Sequence, residues 1–442
     1  MTDLTFETSL ADARTSARGL LDFIDASPTP FHAVQQAGLA LKAAGFVRLA
    51  EGTRWSLEPG RGYFVVRGSG SLIAFRMGTQ PVVEVGFRLL GAHTDSPNLR
   101  LKPRLAKSAH GYALLDVEPY GGLTLATWTD RDLGLAGQVS FRVDHTVHTE
   151  LVRFDKALCR IPNLAIHLNR TVNDEGLKLN KHSHVAPVLA HFIGDGNPAD
   201  LLKEMLAEAV ATTPDAILGH DLMLYDLQRG AFSGLKDEFF QVARLDNLAM
   251  THACLTALLA VPAAVPQTQV IGLYDHEEVG SLSSRGADSS FMQDVLTRIA
   301  GDGADRLPRA LALSHQVSAD MAHGVHPCYA DKHDGTHSPV MNGGPVVKTN
   351  VNTRYATEGL TGALFRMACQ IENVPVQEFV NRPDLACGTT IGPISAGRLG
   401  VPTVDVGNPM WAMHSIREMA GTEDHVRMGR ALARFLVEPG FP

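Results

Sequence analysis

The sequence predicts an α/β domain with a mixed sheet, assembled from both ends of the chain and interrupted by an inserted domain of mainly β character. Three observations carry that prediction. Residues 81–91 form a largely apolar stretch that reads as a strand buried on both faces. After Phe239, helical and buried-strand patterns alternate, as they do in α/β layer folds. Between residues 98 and 235 the segments are β-type instead, with paired glycines at Gly121-Gly122. The predicted division is therefore 1–97 with 236–442 as one domain and 98–235 as the insertion.

Taken in order, the first helix follows Thr15 and Ser16, carries Leu20, Leu21, Phe23 and Ile24, and stops at Ser27-Pro28-Thr29-Pro30. A second starts near Phe31, places Val34, Leu39 and Leu41 on one side, and ends at Gly45. Short β runs at 62–67 and 71–75 lead into 81–91, with His93 just past its end. In the insertion, 111–117 and 137–147 read as strands and 169–184 as a polar loop. Beyond it, 247–261 is helical, 268–274 a strand, 290–299 helical, and 310–314 and 401–406 strands. Thr422 is placed to cap a final helix whose Val426, Leu432, Phe435 and Leu436 make an apolar stripe.

Composition excludes several function classes. With 442 residues, 45% hydrophobic and 19% charged, the chain can bury large cores and lacks the signature of disorder. Its net charge is −8 and it has no basic tail to neutralise phosphates, so nucleic acid is not an expected partner. The first ten residues mix acids and hydroxyls with apolar side chains, so neither a signal peptide nor a membrane span is expected there, and the chain reads as cytoplasmic. Five scattered cysteines, Cys159, Cys254, Cys328, Cys369 and Cys387, fit neither a disulfide framework nor a cysteine zinc site.

Catalytic groups in open α/β sheets gather at the carboxyl ends of strands. Potential metal ligands follow predicted strands at four places: His93-Thr94-Asp95, Asp275-His276-Glu277-Glu278, Asp320 and His414. Asp246, at a sheet-to-helix junction, is a fifth candidate. Each alone is an ordinary feature, since a histidine after a strand commonly serves the rim of a core and adjacent glutamates a solvated turn. Together, two histidines and three carboxylates form a mixed N/O set suited to Zn²⁺, Mn²⁺ or Co²⁺. One shared carboxylate would let two ions sit about 3.5–4 Å apart. Asp95, two residues from His93, points to the same side in extended backbone and can accept the free ring N–H of a metal-bound His93. Of the successive Glu277 and Glu278, one can bind metal while the other acts as general base.

Rival motifs fail. His276-Glu277-Glu278-Val279-Gly280 lacks the second histidine of H-E-x-x-H, and neither a nucleophile elbow nor a P-loop occurs. Gly68-Ser69-Gly70 is a G-x-G fragment that reads as a strand bend. His323, His326, His333 and His337 lie in a Pro- and Gly-rich setting that suits a substrate-lining loop as well as a ligand cluster.

The segments Gly91-Ala92-His93-Thr94-Asp95-Ser96-Pro97, Arg244-Leu245-Asp246-Asn247, Asp275-His276-Glu277-Glu278-Val279-Gly280-Ser281, Ser318-Ala319-Asp320-Met321-Ala322-His323-Gly324 and Met413-His414-Ser415-Ile416-Arg417-Glu418-Met419 together resemble the aspartyl aminopeptidase family. The likeness runs in order from about Phe31 to the C-terminus. It implies a zinc-exopeptidase-like catalytic domain with an inserted dimerisation domain, and a two-zinc enzyme that removes an acidic residue from the N-terminus of a peptide. Carried over, Asp246 bridges the metals, His93 and Asp320 complete one site, Glu278 and His414 the other, and Glu277 is the general base. The segment around His167 resembles the family's inter-subunit loop, so His167 is expected to complete a neighbouring subunit's site. The stretch from Asn342 through Lys348 to Arg354 resembles the family's pocket segment, in which a lysine meets the substrate's side-chain carboxylate. His323 and Arg354 are further substrate-lining candidates. The family assembles as tetrahedral dodecamers built from dimers, so a homo-oligomer is expected. Three alternatives stand beside this reading: an aminopeptidase of broader specificity, a two-metal deacylase or carboxypeptidase, and a metal-stabilised assembly protein without catalysis.

Overall fold

A computed structural model of the chain describes residues 10–193 and 196–438. The expectation of no leader or span in the first ten residues falls on residues 1–9, outside the described residues. The chain divides into two compact units, one of Met1–Asp95, Gly230–Met413 and Glu418–Pro442, the other of Ser96–Arg229 and His414–Arg417.

The larger unit is built on a nine-stranded mixed sheet. Its strands run in the spatial order Val47–Arg48, Gly62–Arg67, Ser71–Arg76, Thr268–Tyr274, Phe87–His93, His315–Ala319, Thr403–Gly407, Val346–Thr349 and Gln377–Val380. The four strands from Thr268–Tyr274 to Thr403–Gly407 are mutually parallel, and every residue in them is buried. In Phe87–His93, Leu90 and Ala92 enter one core with the helices Leu10–Asp25, Leu245–Ala260 and Thr422–Val437. Phe87 and Leu89 enter a second core on the opposite face with the helix Phe291–Ala300. That two-sided burial is why the segment is largely apolar rather than alternating. A smaller five-stranded sheet joins Ala231–Ser233, Phe239–Val242, Glu418–Gly421, Pro409–Trp411 and Ala322–His323.

The other unit is a six-stranded antiparallel sheet in the order Thr146–Cys159, Leu133–Val143, Ile217–Asp226, Asn98–Ala109, Tyr112–Tyr120 and Val188–His191. The helix Pro198–Ala209 places Leu202 and Leu206 in its core with Leu99, Leu101 and Leu135.

Four local expectations are corrected. Residues 81–91 are not one strand: Val82–Val85 form a helical turn, and the strand begins at Phe87. Gly86, at φ 69°, turns the chain where a Cβ would lie 2.1 Å from the Leu313 carbonyl oxygen. Residues 310–314 are the end of the helix Arg306–Ala312, closed by the Ser314 hydroxyl on the Ala310 carbonyl, and the strand is His315–Ala319. Residues 137–147 cross the turn of a hairpin, with Asp144 in the left-handed region between two long strands. Thr422 is the first residue of the last helix rather than its cap; its hydroxyl donates to the Asp237 carbonyl.

Candidate metal centre

The strand Phe87–His93 lies between Thr268–Tyr274 and His315–Ala319, so its terminal His93 is flanked by the residues at the carboxyl ends of those two neighbours. Glu277 and Glu278 come just after the first of them, and Asp320 directly after the second. Asp246 opens the helix Leu245–Ala260, where the Asp246–Asn247 peptide is cis. These elements bring the side chains into two groups, His93 with Asp246 and Glu278, and His93 with Glu277 and Asp320. Within each group the ligand atoms all lie within 4.8 Å of one another.

His93 is the hub. Its Nε2 is 3.4 Å from Asp246 Oδ1, 3.6 Å from Asp320 Oδ1 and 3.9 Å from Glu277 Oε2. Its Nδ1 faces the Asp95 carbonyl oxygen at 3.0 Å and Asp95 Oδ1 at 3.4 Å. Both are acceptors and can keep a proton on Nδ1, while Nε2 faces the carboxylates and is the nitrogen that could bind a metal. The Asp95 carboxylate also accepts the backbone N–H groups of Glu277 at 3.1 Å and Glu278 at 3.2 Å. One buried carboxylate therefore orients the imidazole and the Glu277–Val279 turn together.

The electrostatics reflect carboxylates crowded around one ring in a buried place. Burial pulls the His93 imidazole down, but Glu277, Asp246, Asp320 and Asp95 outweigh it and hold it well above its ordinary value. Burial pushes Glu277 well above the ordinary carboxylate range; His93 opposes this, and Asp320, Glu278 and Asp95 add to it. A site that gathers this much negative charge around one imidazole favours a cation. The donor set of imidazole nitrogen and carboxylate oxygens fits zinc.

Several supporting groups carry no recognisable signal in the sequence. Thr251 donates its hydroxyl to the His93 carbonyl at 2.7 Å, and Asn247 Nδ2 donates to the Ala319 carbonyl at 2.9 Å. The buried Glu418 accepts the Asp246 backbone N–H at 3.2 Å. Glu418 lies in the Met413–Met419 segment with no role assigned to it there, so proximity to His414 is its one clue.

The other candidates are more dispersed. Lys348 is 2% exposed and donates from Nζ to the carbonyls of Asp320 at 2.9 Å and Met321 at 3.2 Å. Among the described residues His414 belongs to neither ligand group; its Nδ1 lies 3.1 Å from the Gly122 carbonyl oxygen, in the six-stranded unit. His167 is exposed on the turn Ile166–Leu168 of that same unit. His323 packs edge-on against Phe379, and Arg354 is exposed. His326 and His333 are neighbours, with the His326 backbone N–H donating to His333 Nε2.

The profile of the aminopeptidase I zinc metalloprotease family, M18, matches residues 23–436. The chain belongs to this family. It is 49% identical over 428 residues to the probable M18 family aminopeptidase 2 of Pseudomonas aeruginosa (strain UCBPP-PA14), covering 96% of this chain and 99% of the relative. The probable M18 family aminopeptidase 2 of Pseudomonas putida (strain GB-1) is 48% identical over 419 residues, covering 94% and 97%. The fold is similar to that in the cryo-EM structure of the Ape4 and Nbr1 complex, with a TM-score of 0.93 and 37% identity over 98% of this chain and 87% of that one. It is also similar to the mApe1 dodecamer of S. cerevesiae, with a TM-score of 0.83 and 27% identity over 96% of each chain. An M18 enzyme of this kind is a zinc-dependent hydrolase acting on peptides. No helix among the described residues is long and apolar enough to cross a membrane.

Proposed function

We propose that this M18 chain releases acidic residues, Asp or Glu, from the free N-terminus of peptides, using two divalent ions and Glu277 as general base. The observation that supports the reading is the gathering of Asp246, Asp320, Glu277 and Glu278 around His93. In this reading His93 and Asp320 would hold one ion and Glu278 and His414 the other, with Asp246 available to both. Zinc is the first choice, with Mn²⁺ or Co²⁺ as substitutes.

Bound metal supplies Lewis acidity, polarising the scissile carbonyl and lowering the pKa of water. Glu277 takes a proton from the attacking water as its oxygen joins the carbonyl carbon. It then delivers that proton to the departing amine nitrogen as the C–N bond breaks. Asp95 holds His93 and the turn bearing Glu277 in register. Lys348 spends two of its three N–H donors on main-chain carbonyls, and the third is the one assigned to the substrate's side-chain carboxylate.

The reading includes a homo-dodecamer of tetrahedral form, built from dimers through the six-stranded unit. The dodecamer named for mApe1 supports it, as does Thr146–Cys159, an edge strand with ladder groups to cover. His167 then completes a neighbouring subunit's site; its exposed flanking residues Leu164, Ile166 and Leu168 suit a loop covered by another copy. His323 and Arg354 line the substrate's path. A cytoplasmic setting fits five cysteines present as thiols, three of them buried.

Turnover of a panel of peptides differing in their first residue, with zinc-reconstituted protein, tests the substrate claim. Asp- and Glu-terminated peptides should lead, and N-acetylation should abolish cleavage. Equal turnover of Leu-terminated peptides would leave a broader aminopeptidase, and cleavage of the acetylated peptide would point to a deacylase.

A further inference from the structure

The turn that presents Glu277 is held at its start by residues outside the ligand set. His276 adopts φ 68° and ψ 21°, a left-handed conformation uncommon outside glycine that costs free energy its surroundings must offset. The His276 N–H donates to Asp275 Oδ1 at 2.9 Å and its carbonyl accepts the Ser281 N–H at 2.7 Å, and Arg285 ties this arrangement down from outside. Its Nε donates to Asp275 Oδ2 at 2.8 Å, and its Nη2 to His276 Nε2 at 3.3 Å. Because a guanidinium only donates, His276 Nε2 is the acceptor. Its Nδ1 therefore carries the proton and donates to Ser283 Oγ at 2.8 Å.

The bracing extends into the sheet. Ser71 Oγ accepts the Asp275 backbone N–H at 2.8 Å and donates to the Arg285 carbonyl at 2.7 Å. The Gly68-Ser69-Gly70 fragment, a hairpin turn between Gly62–Arg67 and Ser71–Arg76, gives this network its room. A Cβ on Gly70 would lie 2.3 Å from Asp275 Oδ2, and one on Gly68 would lie 2.8 Å from Arg285 Cδ. The Gly70 carbonyl accepts the hydroxyl of Thr94, the residue after His93, at 2.7 Å.

We infer that Arg285 is a positioning residue for the general base, fixing through Asp275 and His276 the backbone from which Glu277 is presented. Asp275 is fully buried and the Arg285 side chain is 18% exposed, so the pair is a fixed strut rather than a solvated contact. The inference rests on the reading of Glu277 as base, and it assigns Arg285 no contact with substrate or metal. A displaced base loses rate more than binding, because misplacement of about 1 Å can cost on the order of 10²-fold.

The test compares Arg285→Ala, Arg285→Lys, Ser283→Ala and Glu277→Gln with the wild type as full-length, zinc-loaded protein, reading kcat, KM, zinc content and melting temperature. Arg285→Ala should lower kcat by roughly 10- to 100-fold with KM within about twofold and zinc content unchanged. Millimolar guanidinium should restore part of the loss, and Arg285→Lys, which cannot reach two acceptors at once, should remain impaired. Unchanged kcat in Arg285→Ala would overturn the inference. So would a loss that tracks zinc content or melting and shows no guanidinium rescue. If Arg285→Ala does not fold, Ser283→Ala decides: a severalfold fall in kcat alone supports the strut and no change overturns it. Inactive Glu277→Gln beside fully active Arg285→Ala sinks only this inference; fully active Glu277→Gln sinks the base itself.

Discussion

Lys348 Nζ donates to the main-chain carbonyl of Asp320 at 2.9 Å and lies 3.8 Å from Asp320 Oδ2. The lysine assigned to substrate recognition is therefore also attached to a metal-ligand candidate. Lys348→Met keeps the buried stem and removes the ammonium. It leaves the Asp320 and Met321 carbonyls without their donor, at a cost of about 1–3 kcal/mol by chemical denaturation. Selectivity for N-terminal Asp over Asn, about 10- to 150-fold in kcat/KM for a charged hydrogen bond, should collapse toward unity. Undiminished selectivity in a folded Lys348→Met protein would remove Lys348 from the pocket.

Asp95→Asn keeps size but weakens what Asp95 does. The amide cannot accept from the backbone N–H groups of both Glu277 and Glu278 on separate carboxylate oxygens. Zinc affinity, measured by competition with a chromogenic chelator, should fall about 10- to 100-fold. Wild-type affinity would mean that the Asp95 carbonyl alone orients His93.

How much of this site is legible in the sequence depends on distance along the chain. His93, Glu277, Glu278 and Asp320 are readable because each lies at the end of a buried strand or just beyond one, and adjacency of those strands does the rest. The strand before Asp320 reads five residues early because Ala310-Leu311-Ala312-Leu313 suits a helix end as well as a strand. Arg285, Thr251 and Glu418 are not legible, since each acts on a residue distant in sequence or through backbone groups that no side-chain pattern reports. The return of His414–Arg417 to the six-stranded unit, where Ile416 enters the core, is likewise a tertiary fact without local pattern.

His252 and His425 give the fold an acid limit. Their rings stack at 5.1 Å, with His252 Nδ1 2.8 Å from His425 Nε2. Burial lowers His252 to about 4, and burial with the His252 charge lowers His425 well below its ordinary value. Depressed histidines take up protons more readily unfolded, so stability rises with pH across this window and is lost as pH falls from about 6.5 toward 4. For His252 alone the loss is about 3 kcal/mol over that range. Melting temperatures between pH 7 and 5 should therefore fall more steeply for the wild type than for His252→Gln. Parallel curves would contradict this.

His167 is exposed in its own chain, and the proposed function gives it work in another. Mixing His167→Ala with Glu277→Gln subunits should restore activity in hetero-oligomers, because some sites would receive an intact residue from each parent. Hetero-oligomers that demonstrably form and recover nothing would confine His167 to its own surface.

The central claim is that metal and the Glu277 carboxylate act separately in one hydrolytic step, and Glu277→Gln measured for both zinc content and turnover tests it most directly. The amide keeps the shape but cannot take a proton from water, so zinc content should match the wild type while kcat falls by at least roughly 10² to 10⁴. A Glu277→Gln protein that carries its full zinc and turns over an Asp-terminated peptide at the wild-type rate would contradict the account.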